Sequence, residues 1–220
     1  MWSSDVIQML VRGIGESLVM SVFSTFFGYV LGIPLGVLLA VTAEDGIRPM
    51  RAVYRVLDFV INILRSIPFL ILLILIIPFT IFVVGKSYGT EGTIVPLVIA
   101  AAPFIARMVE SSLREVDHGV IEAAQSMGAN DWTIITSVLI TEARTSLIVG
   151  VTISFGTILG YSAMAGIVGG GGLGDIAIRY GYYRYQSDIM IVTVVLLVCI
   201  TQLVQLFGTK LAAKLDRRRA

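Results

Sequence analysis

Residues 122–128 read Glu-Ala-Ala-Gln-Ser-Met-Gly and lie inside a polar stretch, about residues 107–144, that long apolar segments flank on both sides. The first six residues are mostly good helix formers, and Gly128 suits the position after a helix, where the backbone turns left-handed. Asn130 or Asp131 can cap the helix that follows. The stretch therefore predicts a short helix, a break at Gly128 and a second helix that re-enters the apolar layer.

The apolar residues of the chain come in long runs rather than in amphipathic stripes. Hydrophobic residues make up 56% of the 220 residues and charged residues 14%, whereas soluble domains carry about 25% charged residues. A run of about 18 uncharged residues can cross a hydrocarbon layer ~30 Å thick. The chain is therefore predicted to be an all-α integral membrane protein. Four runs contain no charged residue: Leu18 to Val41, Ile67 to Val84, Ser146 to Gly174 and Ile189 to Thr209.

A further apolar segment, Gly92 to Ala106, is uncharged but is only about 22 Å long as a helix. We therefore expect its helix to continue past Arg107 and Glu110, whose side chains must face protein or water. Glu110 and Arg114 are four residues apart and can pair on the helix surface. Five transmembrane helices are predicted in all, at about residues 14–42, 59–84, 92 onward, 145–164 and 189–209, with a polar link at residues 44–58.

The basic residues are distributed unequally between the two sides that five crossings define. One side holds twelve of the sixteen lysines and arginines, including those of residues 107–144 and of a basic tail, residues 210–220. Loops rich in lysine and arginine stay in the cytoplasm. The N-terminus is therefore predicted outside the membrane, with residues 107–144 and the C-terminus in the cytoplasm.

Glycines and prolines inside the apolar runs predict helix packing and bends. Gly28, Gly32 and Gly36 share one face of the first helix, where another helix can approach closely. The preferred interpretation is ordinary tight packing without a special role. Pro34 predicts a kink because it removes one backbone hydrogen bond, and Pro68 and Pro78 predict bends in the second span.

The motifs that resemble catalytic or cofactor sites lack the neighbouring residues or the secondary structure that such sites require. Gly85-Lys86-Ser87 lacks the first glycine of a phosphate loop, and the glycines of residues 169–174 follow a membrane helix instead of a βαβ unit. His118 stands alone, without a second metal ligand at a suitable spacing. The single cysteine, Cys199, lies in an apolar run and is interpreted as a small buried hydrophobe. No catalytic residue, metal site or cofactor is predicted on this chain, and its net charge of +1 does not favour nucleic acid.

The acidic residues all lie in loops, termini or span margins. Proton- or sodium-driven carriers usually need carboxylates within the membrane, so an ion-coupled mechanism is disfavoured and another energy source is required for pumping. The glycine-rich residues 166–174 fit irregular backbone near membrane depth, which is tolerated beside protein or a water-filled cavity. They indicate a gate or pathway wall, or equally a structural outer loop.

At Glu122, Ala123, Ala124 and Gly128 the chain resembles the permease subunits of ATP-binding cassette (ABC) importers. In that family the motif forms the coupling helix that docks on a cytoplasmic ATPase subunit. The family pattern often continues to a Leu-Pro pair, where this chain has Ile140-Thr141, so the local kink before the fourth span is in doubt.

The resemblance extends over about residues 10–210 and is strongest to methionine importer permeases. It implies the type I ABC importer fold in a bacterial inner membrane, in a single transmembrane domain with a core at about residues 13–207. It also implies a homodimer, two ATPase subunits that carry ATP and magnesium, and an extracytoplasmic methionine-binding lipoprotein. Five segments carry this likeness: Asn62 to Phe69, Ala101 to Glu110, Gly160 to Gly166, Gly171 to Gly174 and Tyr180 to Tyr182.

A gate is expected near the dimer axis, at Tyr161, Ser162, Met164 and Gly166, with Met164 as an apolar constriction. Three alternatives remain: a permease for another amino acid or small polar solute, an ATP-independent channel or facilitator, and a membrane anchor for a soluble complex. The two that lack an ATPase partner leave the motif at residues 122–128 unexplained.

Overall fold

The computed structural model describes residues 4–215, which form helices joined by short turns and contain no β-strand. The long helices are α1 (Ser4–Thr42), α5 (Gly89–Arg114), α9 (Arg144–Ala165) and α11 (Ser187–Leu215). Shorter ones connect them: α2 (Arg51–Ser66), α3 (Phe69–Leu75), α4 (Ile77–Val84), α6 (His118–Ser126), α7 (Asp131–Thr133), α8 (Ile140–Glu142) and α10 (Gly172–Ile176). Two π-helical segments, Ile134–Leu139 and Ala177–Tyr182, complete the chain with a 3-10 turn at Gly166–Val168.

Helices α1 and α5 lie side by side and run in the same direction. Gly28 packs against Ala101, and Gly36, two turns further along α1, packs against Ala106 and Val109. All three glycines of the predicted face contact α5. A β-carbon added at any of them would overlap the backbone or the side chains of α5, so only glycine permits this close approach. Two neighbouring parallel helices require the chain to return to its starting side between them.

The return passes through α2, α3 and α4. At one end of the bundle Tyr54 of α2 donates a hydrogen bond to Glu110 of α5, and at the other the Gly89 amide donates to the Gly169 carbonyl. The axis turns by 99° between α2 and α3 at Pro68, and Pro78 lies in the first turn of α4. The bend predicted at Pro68 is confirmed. Near Pro78 the helix is interrupted at Ile76, where α3 ends and α4 begins. The second span, predicted over residues 59–84, begins earlier, at Arg51, and is divided into α2, α3 and α4. Residues 51–58 of the expected polar link are therefore helical.

Helices α9 and α11 add two crossings in alternate directions. The hydroxyls of Ser112 and Ser146 lie 2.9 Å apart where α5 ends and α9 begins, and Arg144 donates to the Leu215 carbonyl at 2.9 Å where α11 ends. Four described helices are long and apolar enough to cross a membrane, and the bent pair raises the count to as many as five. The first described residue of α1 and the last of α11 therefore lie at opposite ends of the bundle.

Several predicted boundaries shift. Helix α1 begins at Ser4 instead of residue 14 and continues through Pro34 without a break. Helix α5 continues past Arg107 to Arg114, as predicted, so the first eight residues of the 107–144 stretch belong to a long helix. Helix α11 takes in the start of the basic tail as far as Leu215, and residues 216–220 lie outside the described residues. Cys199 is exposed on α11, so its interpretation as a buried hydrophobe is wrong.

The glycine-rich segment is packed closely against α1 and α5. The Gly172 amide donates to the Glu16 carboxylate at 2.8 Å, and the Leu173 amide donates to the Ser17 hydroxyl at 2.9 Å. Thr93 of α5 donates to the Gly170 carbonyl at 3.3 Å. These bonds supply partners for irregular backbone that lipid cannot satisfy.

Candidate coupling site and pathway residues

Helix α6 carries the Glu-Ala-Ala motif and has a defined start and end. Asp117 accepts a hydrogen bond from the Gly119 amide at 2.7 Å and so caps the first turn. At the other end, the Gly128 amide donates to the Gln125 carbonyl and the Ala129 amide to the Ala124 carbonyl. This Schellman pattern requires a left-handed residue, and Gly128 has φ +80°. The predicted break at Gly128 is confirmed.

The chain re-enters the bundle directly after this turn. The Asn130 side chain accepts from the Thr133 amide at 2.8 Å, so Asn130, and not Asp131, is the cap. A π-helical segment follows, and the helix is interrupted at Ala143 before α9 begins. The break before the fourth span therefore occurs although Ile140-Thr141 supplies no proline.

The four motif residues do not share one environment. Ala124 is buried in the main apolar core, whereas Glu122, Ala123 and Gly128 are exposed. One alanine of the pair therefore fixes α6 to the bundle, and the accessible residues are left for contact with another molecule. The sequence alone does not decide which alanine faces inward, because that depends on the rotation of α6.

Two large apolar side chains flank the turn and point away from the protein. Met127 is 82% exposed and Trp132 is 74% exposed, in a segment that lies beyond the ends of α5 and α9. Sequence reasoning did not single out either residue. The available signal was two bulky apolar residues inside an otherwise polar stretch.

The residues predicted as a gate lie at the other end of α9. The Tyr161 ring stacks on Phe69 of α3, with centroids 4.8 Å apart and planes within 3°. Met164 is 42% exposed. Ser162 is buried and donates to the Leu159 carbonyl, and Gly166 packs against the backbone of Gly174. Met164 is the only exposed residue of the four in this single subunit.

A family model decides the class of the protein. Residues 32–220 match the family described as binding-protein-dependent transport system inner membrane component. The chain belongs to this family. As a binding-protein-dependent transport component it is an inner membrane protein, a subunit of a transporter and not an enzyme in itself.

Relatives and solved structures are similar to this transport component over about three quarters of its length or more. It is 47% identical over 217 residues to the probable D-methionine transport system permease protein MetI of Vibrio cholerae, which covers 99% of this chain and 96% of the relative. The D-methionine permease MetI of Escherichia coli K12 is 49% identical over 164 residues, 74% of this chain and 76% of the relative. A chain of the MetNI methionine ABC transporter in an inward-facing conformation is 46% identical, with a TM-score of 0.97 over 98% of this chain and 100% of that one. The fold is therefore that of a type I ABC importer permease.

Proposed function

We propose that this chain is the permease subunit of an ATP-driven methionine importer and that two copies form the translocation pathway. The observation that carries the proposal is the match to the MetNI permease along the full length of both chains, with TM-score 0.97 and 46% identity. The match covers 98% of this chain and 100% of the other. We also assign residues 13–207 as the core of one transmembrane domain.

The partners follow from the same comparison. Two cytoplasmic ATPase subunits bind ATP and magnesium, and an extracytoplasmic binding protein delivers the solute. On this chain we assign docking of the ATPase to Glu122, Ala123 and Gly128, with Ala124 as the residue that fixes α6 to the bundle. Met127 and Trp132 add exposed apolar contacts, and buried aromatic and methionine side chains at the centre of an interface contribute strongly to affinity.

The geometry supports a rigid-body mechanism. Helix α6 is joined to α5 by a three-residue turn, and its continuation through α7 and α8 leads into α9. Closure of the two ATPases on ATP would bring the two α6 helices together and tilt α5 and α9 towards an outward-open state. Hydrolysis would return them to the inward-facing arrangement. Interfaces of this kind convert small displacements at one site into movement of whole helices.

The test is uptake of radiolabelled methionine into vesicles that contain this chain, the ATPase subunit and the binding protein. Uptake should require all three proteins and ATP, and unlabelled methionine should compete with the label. Uptake by this chain alone would identify an ATP-independent facilitator. Competition by another amino acid but not by methionine would identify a different importer, and no flux under any condition would indicate an anchor.

We assign the gate to the end of α9, with Met164 at the dimer axis beside Tyr161, Ser162 and Gly166. The support is that Met164 is 42% exposed on a single subunit although the nearby Ser162 is buried. We expect Met164→Cys to form a disulfide between the two copies in at least one nucleotide state, after Cys199→Ser has removed the native thiol. Thr157→Cys, nearly two turns earlier on α9, is the comparison. Absence of the Met164→Cys crosslink in every nucleotide state would contradict the assignment.

A further inference from the structure

Glu110 is a carboxylate inside the bundle, with its side chain only 3% exposed. Its oxygens receive hydrogen bonds from Arg107 at 2.7 Å and from the Tyr54 hydroxyl at 3.1 Å, and Arg114 lies 3.8 Å away. An ionised group at such a site is costly unless its partners are all in place. The position of Glu110 therefore depends on groups from α2 as well as from α5.

The two arginines beside Glu110 reach in different directions from α5. Arg107 donates to Asp58 at 2.5 Å and to Asn62 at 3.1 Å, both on α2. Arg114 donates to Asp45 at 2.9 Å, in the loop between α1 and α2. That hydrogen bond lowers the pKa of the Asp45 carboxyl, so this contact stays charged at neutral pH. One buried carboxylate thus organises contacts from α5 to two other parts of the chain.

The loop that contains Asp45 also contacts the coupling segment, which comprises α6, the turn at Gly128 and α7. Arg48, three residues after Asp45, forms an ion pair with Asp131, the first residue of α7. Ile47 packs against the apolar core that contains Ala124 of α6. The loop over residues 43–50 therefore lies between the coupling segment and the charges at the end of α5.

At its other end α2 leads directly to the predicted gate. Two residues separate the end of α2, Ser66, from Phe69, whose ring stacks on Tyr161 of α9. Tyr161 lies one turn before Met164. A continuous series of contacts thus joins α6 and α7 to the gate through the loop, Glu110 and α2.

We propose that Glu110 is a positioning residue of the transport cycle. It holds α2 and the loop after α1 to α5, so that displacement of the coupling segment moves α2 and, through Phe69, the gate. Without the Glu110 charge, α5 would move with the ATPases but α2 would follow incompletely. ATP would then be hydrolysed with less solute transported. This inference rests on the proposed function, since it requires a coupled ATPase.

The experiment compares ATP hydrolysis and methionine uptake in the same vesicles containing the full transporter. We expect Glu110→Gln to retain ATPase subunits on purification and to hydrolyse ATP within about two-fold of the unmodified complex, with uptake per ATP lowered about five- to ten-fold, a range typical of coupling between sites. A purely structural defect would lower hydrolysis and uptake together. Glu115→Gln is the matched control, because Glu115 is exposed and forms no ion pair among residues 4–215; it should leave the ratio unchanged.

Two further variants keep the test decisive if Glu110→Gln is poorly folded. Tyr54→Phe removes one of the hydrogen bonds to Glu110 and leaves the bond from Arg107 in place, so it should lower uptake per ATP about two-fold, less than Glu110→Gln does. In the double variant Asp58→Asn, Glu110→Gln, the fold-reduction in uptake per ATP should be smaller than the product of the two single fold-reductions, because both residues act through Arg107. Unchanged uptake per ATP in Glu110→Gln and Tyr54→Phe, or fully multiplicative losses in the pair, would overturn the inference. Absence of ATP-dependent uptake by the unmodified complex would instead contradict the proposed function.

Discussion

Gly36→Leu will remove almost all folded transporter from the membrane. A β-carbon at this position would lie 2.5 Å from the Ala106 carbonyl oxygen and 2.6 Å from the Val109 β-carbon. A backbone oxygen cannot move aside without disturbing the hydrogen bonds of α5, so α1 and α5 must separate. Overpacking costs about 1–3 kcal/mol even for small insertions, and about 1.4 kcal/mol is ten-fold in an equilibrium. A leucine adds four side-chain carbons at this contact, and losses of only about 1–2 kcal/mol already change the amount of a protein in cells several-fold, so the yield of folded complex should fall about ten-fold or more.

The measurement is the amount of monodisperse complex extracted from membranes, with the thermal unfolding midpoint of whatever remains. Gly15→Leu is the matched control, because Gly15 lies on the same helix and has no atom within 4 Å of the added β-carbon. Its yield should equal that of the unmodified protein. Equal yields for the variants at positions 15 and 36 would show that α1 and α5 do not need close contact.

Gly128→Val will uncouple the transporter by straining the turn after α6. Gly128 has φ +80°, and a β-carbon added there meets no atom within 4 Å. The penalty on the subunit is therefore conformational and not steric. A non-glycine residue in the left-handed region costs about 1–3 kcal/mol, and a β-branched residue is at the unfavourable end of this range. We expect ATP-dependent methionine uptake to fall about ten-fold or more.

Gly128→Asn separates conformation from size, because asparagine tolerates left-handed backbone better than other L-residues. Uptake and retention of the ATPase subunit should be close to normal in Gly128→Asn and low in Gly128→Val. Normal uptake by Gly128→Val would show that the conformation of this turn is not needed for coupling. Equal loss in both variants would mean that the ATPase packs directly on Gly128 and leaves no room for a side chain.

The long apolar segments and the coupling turn were predictable because each rests on local chemistry. The fourth span, expected at residues 145–164, is Arg144–Ala165. The continuation of α5 past Arg107 could be predicted because its uncharged part alone is too short to cross the membrane. Gly128 follows helix-forming residues and precedes a cap, so the break could be identified without tertiary information.

The first half of α2, residues 51–58, was predicted as a polar link because the apolar residues of α2 are spaced on a helix face instead of forming a run. Val56, Phe59, Val60 and Ile63 recur at helical intervals, and arginines and Asp58 lie between and before them. This pattern lowers the average hydropathy of the window that reveals a membrane span. The 99° turn at Pro68 depends on packing against α5 and α9, and proline indicates a bend without giving its angle.

The environments of the site residues depended on helix rotation. The sequence places Ala123 and Ala124 side by side, and only the packing of α6 shows that Ala124 is buried. Ser162 and Met164 are two residues apart on α9 and therefore face different directions. The contacts of Glu110 with α2 join residues about fifty positions apart, as in the Tyr54 hydrogen bond. No local pattern carries that information.

The parallel packing of α1 and α5 has a consequence for biosynthesis. Gly36 and its contact Ala106 are 70 positions apart, and the chain must cross back through α3 and α4 before α5 can insert. Until then the glycine face of α1 has no helix to pack against and is exposed to lipid or to the insertion machinery. A nascent chain released before α5 therefore contains an inserted first helix without its native neighbour.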